Sequence, residues 1–142
     1  NTARQPAWAC VMTTRSAITL TTIWAGLKLT NTSVTATDAD QAFFRYEPGT
    51  NSGKFQCLYS VGGTDYALDS GVTVVLSTDY VLELWLDAAR KPHFYIDGEE
   101  VAVGVNAMTS LTTLLPYWGV QADTAAAKHA YLRKLVASRL YS

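Results

Sequence analysis

The sequence predicts an all-β protein, an antiparallel β-sandwich or jelly roll with at most one or two short helical turns. Three observations predict it. Apolar and polar residues alternate with period two in most segments. Turn signals such as "PGTNSG" (48–53) and "GGTD" (62–65) separate those segments at hairpin spacing. Finally, "HFYIDGEEVAV" (93–103) reads as a β-hairpin, because Asp97-Gly98 supplies the left-handed backbone that a tight turn needs.

The elements follow in order. "AWACVMTT" (7–14) is a short strand behind the segment "NTARQP". "AITLTTIWAGLKLT" (17–30) is rich in Thr, Ile and Leu, with Gly26 as a bulge or bend and Lys28 on a wet face between Leu27 and Leu29. "NTSVTATDAD" (31–40) is a polar loop. "QAFFRYE" (41–47) and "KFQCLYSV" (54–61) are strands, the second with Phe55, Cys57 and Tyr59 on one face. "YALDSGV" (66–72) and "TVVL" (73–76) are two short strands.

"DYVLELWLD" (79–87) is the strongest strand: Tyr80, Leu82, Leu84 and Leu86 face the core, and Val81, Glu83, Trp85 and Asp87 face away from it. In the hairpin, Phe94 and Ile96 share one face, and His93, Tyr95 and Asp97 the other. "NAMTSLTTLLP" (106–116) is a loop with a helical turn, and "YWGVQAD" (117–123) is a strand. The end of the chain reads two ways. Leu132, Val136 and Leu140 recur at helical spacing, whereas the all-β context favours a strand over about 130–140, with Ala125–Lys128 as a loop or helical turn. About ten strands result. Residues 1–16 form an N-terminal arm with the first short strand, and residues 17–142 a single jelly-roll domain.

Composition bounds the function. The 142 residues suit one domain, half of them are hydrophobic, and only 16% are charged, which points to a large core or to surfaces covered by partners. A net charge of −1 argues for neither nucleic acid nor an anionic membrane. No apolar run is long enough for a membrane-spanning helix. Cys10 and Cys57 read as two buried thiols, with a disulfide between them as the alternative.

No catalytic set emerges. Glu83 and Asp87 are ~13 Å apart along one strand, too far for a glycosidase pair. Glu99 and Glu100 point opposite ways. His93 and His129 have no serine or cysteine partner in a recognisable elbow and read as surface residues. No cofactor is expected. The Asp/Thr cluster at 37–40 offers oxygens to calcium, but it lacks the glycine and terminal glutamate of an EF-hand loop, and such clusters are also good turn formers. The aromatic residues are more informative. Trp85, on the polar face with Glu83 and Asp87, is placed to stack on a sugar ring, to fill a subunit interface, or to sit under a second layer.

The stretch "TDYVLELWLDAARKPHFYIDGEEVAVG" resembles the central hairpin of concanavalin A-like (laminin G-like) jelly rolls. "LTTLLPYWGVQADTAAAKHAYLRKLVASR" is similar to the ending of bacteriophage structural proteins of that kind, with Arg133 or Lys134 where an acidic residue is expected. The resemblance covers about residues 17–140 and implies a final strand rather than a helix. It also implies a non-enzymatic virion structural protein, a capsid decoration or a head or tail fibre module at the virion surface, assembled in the host cytoplasm. Its partners would be the major capsid protein or other virion proteins and further copies of itself, with Arg4, Pro6 and Trp8 in the inter-subunit arm. The alternative is a lectin-like carbohydrate-binding module that reads host or surface glycans through Glu83, Trp85 and Asp87.

Overall fold

A computed structural model describes residues 1–15, 18–31, 38–122, 125 and 129–139. They form two five-stranded antiparallel sheets packed face to face, with strand orders β10-β1-β6-β7-β8 and β5-β4-β3-β2-β9. The strands are β1 (Ala7–Thr14), β2 (Thr21–Lys28), β3 (Gln41–Tyr46), β4 (Lys54–Val61), β5 (Thr64–Thr73), β6 (Asp79–Leu86), β7 (Pro92–Ile96), β8 (Glu99–Val103), β9 (Leu115–Ala122) and β10 (Ala130–Ser138). The sandwich fold predicted from the sequence is therefore present. Helix among the described residues is limited to lone 3-10 turns at Thr2–Arg4, Ile18–Leu20 and Asn51–Gly53.

Period two accounts for the core. Leu82, Leu84 and Leu86 of β6 are buried with Phe94 and Ile96 of β7 on the inner face of the first sheet. Ile23, Ala25 and Leu27 of β2, with Phe55, Cys57 and Tyr59 of β4, are buried on the inner face of the second. Edge-to-face rings tie the layers together: Phe44 meets Phe94 at 5.3 Å, and Phe55 meets Tyr80 at 5.2 Å. Such pairs contribute ~1 kcal/mol each beyond their burial. The hairpin turn is as predicted, with Asp97 and Gly98 at φ 53° and 85°. The Asp97 carboxylate also accepts a hydrogen bond from Val81 N–H at 2.8 Å, which fixes the turn against β6.

Several expectations are corrected. Residues 1–15 do not stand apart from the sandwich as an arm. β1 is an interior strand between β10 and β6, and Trp8 is 1% exposed in the core with Cys10 and Met12. Pro6 is buried and its carbonyl accepts Leu86 N–H. Arg4 is half-buried in a 3-10 turn that is tied down through Thr2, which bonds Thr112 and Thr109. The alternating apolar residues of 7–14 belong to the core, so the docking arm assigned to Arg4, Pro6 and Trp8 is part of the domain itself. The two short strands expected at 66–72 and 73–76 are one strand, β5, and residues 74–76 lie outside it.

Gly26 makes no bulge: β2 pairs continuously with β3 there. A Cβ at Gly26 would lie 2.5 Å from the Ala42 carbonyl and 2.5 Å from Phe43 Cα, so the glycine is needed for close approach of the strands. Cys10 and Cys57 are free buried thiols on opposite sheets, with no disulfide. Burial pushes the Cys10 thiol up to about 12 and the Cys57 thiol higher still, so both stay protonated at neutral pH. The expected turn at Ala125–Lys128 lies outside the described residues except for Ala125.

Candidate functional site on the outer face of the first sheet

The cross-strand register assembles the site. β6 pairs with β7 so that Trp85 opposes His93 and Glu83 opposes Tyr95, while β7 pairs with β8 so that Tyr95 opposes Glu100. All five side chains therefore share the solvent side of the sheet. A register shift between Phe94 and Tyr95 lets Glu100 reach both His93 and Tyr95 of β7. The Trp85 and His93 rings stack with centroids 4.3 Å apart and planes 10° apart.

Glu100 anchors the cluster. Its Oε1 lies 2.7 Å from His93 Nδ1 and 2.7 Å from the Tyr95 hydroxyl. The hydrogen bond from His93, then that from Tyr95, holds the Glu100 carboxyl below its ordinary value. Because that carboxylate only accepts, His93 Nδ1 carries the proton and donates it. The hydrogen bond that Tyr95 donates to Glu100 raises its phenol, which keeps its proton. On the far side of the ring, His93 Nε2 lies 3.5 Å from Asp87 Oδ2 and makes no hydrogen bond. Asp87 itself closes the β6–β7 turn by accepting Lys91 N–H at 2.8 Å.

Glu83 is different. It makes no hydrogen bond or ion pair among the described residues, and its carboxylate is open to a ligand. Beside it, Ala7 and Ala9 of β1 oppose Trp85 and Glu83. Their small side chains leave a depression of about 160 Å³, bounded by Glu83, Trp85, Val136 and Ser138. That is below the ~300 Å³ of pockets for drug-sized ligands, and it suits one sugar ring. Trp85 thus has His93 on one side and an open hollow on the other.

The sequence-predicted trio is brought to one region but does unequal work. Glu83 and Trp85 line the hollow, whereas Asp87 serves the turn and the imidazole. Sequence reasoning placed His93 and Tyr95 on this face but missed their partnership with Glu100. Strand alternation shows which face a residue takes, but not which residue stands opposite on the next strand.

The outer face of the second sheet is closed. Trp24, Phe43, Leu58 and Tyr117 form a second buried cluster there. Lys28, expected on a wet face, is fully buried with its ammonium 3.8 Å from Asp38, 4.9 Å from the Phe43 ring centre and 5.6 Å from that of Tyr117. Burial lowers the Lys28 ammonium, and Asp38 and Asp65 oppose that effect. Asp38 also accepts bonds from Leu29 N–H, Thr30 N–H and the Thr30 hydroxyl. Asp40 accepts from Thr109 N–H and the Thr112 hydroxyl. These two carboxylates, the acids of the loop considered for calcium, are engaged with different parts of the protein. Thr37 lies outside the described residues.

No protein family and no curated protein matches the chain by sequence. Solved structures do match in shape. The carbohydrate-binding module CBM66 of Bacillus subtilis superposes with a TM-score of 0.57 at 9% identity, over 94% of this chain and 74% of that one. A Caenorhabditis elegans galectin gives 0.59 at 13% identity, over 96% and 84%. Domains LG4-5 of the mouse laminin α1 chain give 0.51 at 12% identity, over 96% and 36%. At such identities the likeness concerns the fold alone: the two sheets of this chain are stacked as in lectin-like, concanavalin A-like and laminin G domains.

Proposed function

We propose that the chain is a non-catalytic carbohydrate-binding module that reads a glycan with the outer face of β1, β6, β7 and β8. One observation carries this reading. Trp85 is held in place by its stack on His93, beside the unengaged carboxylate of Glu83 and next to a hollow of one-ring size. An aromatic ring with an adjacent acceptor is what a sugar requires, since its C–H face packs on the ring and its hydroxyls donate to the carboxylate. The fold shared with a carbohydrate-binding module and a galectin supports the reading. Glu83, Asp87 and Glu100 make the face acidic, so the glycan is neutral rather than sialylated or otherwise anionic. Catalysis is not proposed, because Glu100 and Asp87 are both occupied and leave Glu83 without a second free acid.

A glycan array on the whole chain tests this, with titration of the best neutral hits. Trp85→Ala should weaken binding at least ~tenfold, equivalent to ~1.4 kcal/mol, and Glu83→Gln should weaken it less. Absence of any neutral glycan ligand, or undiminished binding by Trp85→Ala, refutes the proposal.

A virion structural role is a second reading. The observation favouring it is the apolar surface left exposed on β10, which suits burial against a protein lattice at the particle surface. Co-sedimentation with undecorated capsids at saturating stoichiometry would support it, and a chain left in the supernatant would reject it.

A further inference from the structure

The two edges of the first sheet differ in a way that makes them complementary. β10 exposes large apolar residues on both of its faces. Leu132 and Leu135, opposite Met12 and Cys10, point between the layers yet are 37% and 38% exposed. Tyr131 and Val136 point outward and are 52% and 47% exposed. A strand closing a sandwich ordinarily buries its inner face, so among the described residues this edge lacks cover. It is also basic. Arg133 is engaged with Asp79 at 3.6 Å and with Thr13, whereas Lys134 makes no hydrogen bond or ion pair among the described residues.

At the other edge, β8 carries Glu99 and Glu100 directly after the Asp97-Gly98 turn, with Val103 exposed. Glu99, like Lys134, is unengaged among the described residues.

We propose that β10 of one copy lies along β8 of a second copy, head to tail, so that the first sheet continues from chain to chain. Charge selects this pairing. Two β10 strands side by side would oppose Arg133 and Lys134 to their own kind, and two β8 strands would oppose their glutamates. The acidic edge of the second sheet, β5, competes poorly, because Asp69 is taken by Lys54 and Asn51 and Asp65 by Ser60. A head-to-tail contact is heterologous, so it generates a closed ring or an open filament rather than a two-fold dimer. The inference does not rest on glycan binding.

The test is the molar mass of the full chain by light scattering over a wide concentration range, at low and high salt. Mass should rise with concentration beyond one chain and fall at high salt, since exposed charges are screened. Lys134→Glu and Glu99→Lys each remove no hydrogen bond or ion pair among the described residues, so both should fold with unchanged circular dichroism. Each alone should associate ~tenfold more weakly. An equimolar mixture should recover the wild-type mass, because each variant then meets an edge of opposite charge. A wild-type chain that stays monomeric throughout, a two-fold dimer indifferent to both substitutions, or a mixture no heavier than its components would overturn the proposal.

Discussion

Trp24 and Trp85 occupy similar places in the two sheets, each on an outer face beside a charged side chain, and they meet opposite fates. Trp24 is 5% exposed in a cluster with Phe43, Leu58 and Tyr117 beside the buried Lys28–Asp38 pair. Trp85 is half-buried, supported by one imidazole and open toward a hollow. The same architecture therefore seals one outer face and leaves the other partly exposed. Buried residues on an outer face add to the core, whereas partly exposed ones held by hydrogen bonds keep a defined geometry without being needed for folding.

The comparison breaks most sharply by truncation. Trp24→Ala should cost about 3–5 kcal/mol of unfolding free energy, the usual penalty for emptying a large buried aromatic site. Trp85→Ala should cost under about 1 kcal/mol and act on binding instead. Chemical denaturation of both variants checks this, and equal costs would erase the distinction between the faces.

The buried ion pair sharpens it next. Asp38→Ala leaves the Lys28 ammonium without the acid beside it and should cost about 3–5 kcal/mol. Lys28→Met should cost only about 1 kcal/mol, because Asp38 keeps three hydrogen-bond donors from Leu29 and Thr30. Matched thermal melts of the two variants would show whether the asymmetry holds.

The smallest effect is on pH. The Glu100 carboxyl is depressed in the folded state, so its contribution is complete above its unfolded value of 4.5 and is lost only as pH falls through the lower folded value. The stability that this carboxylate contributes, read by chemical denaturation across pH, should show an acid transition only below about 4.5. In Glu100→Gln that acid transition should vanish.

Much of this was legible beforehand. The alternation in 79–87 placed Glu83, Trp85 and Asp87 on the correct face, and Asp97-Gly98 fixed the hairpin. The sealed face was not legible, because a period-two reading grants every strand one wet side, and β2 is buried along its whole length. A hint lay in Phe43-Phe44, two adjacent aromatic residues that must point to opposite faces of β3 and are both buried. The strand at 7–14 is legible from its alternation, but its short length behind a polar segment groups it with an arm. Its central place depends on pairing with β6 and β10, more than 60 residues downstream, which no local pattern encodes.

The two free thiols have a kinetic consequence. Cys10 and Cys57 stand in different sheets, each buried and protonated, so a thiol reagent can modify neither until its strand opens. The rate of labelling at each cysteine is therefore a clock for the opening of its own sheet. Equal rates would mean that the two layers separate and unfold as one cooperative unit. A faster Cys10 would mean that the sheet ending in the uncovered β10 breathes first, while the doubly packed sheet holds its shape.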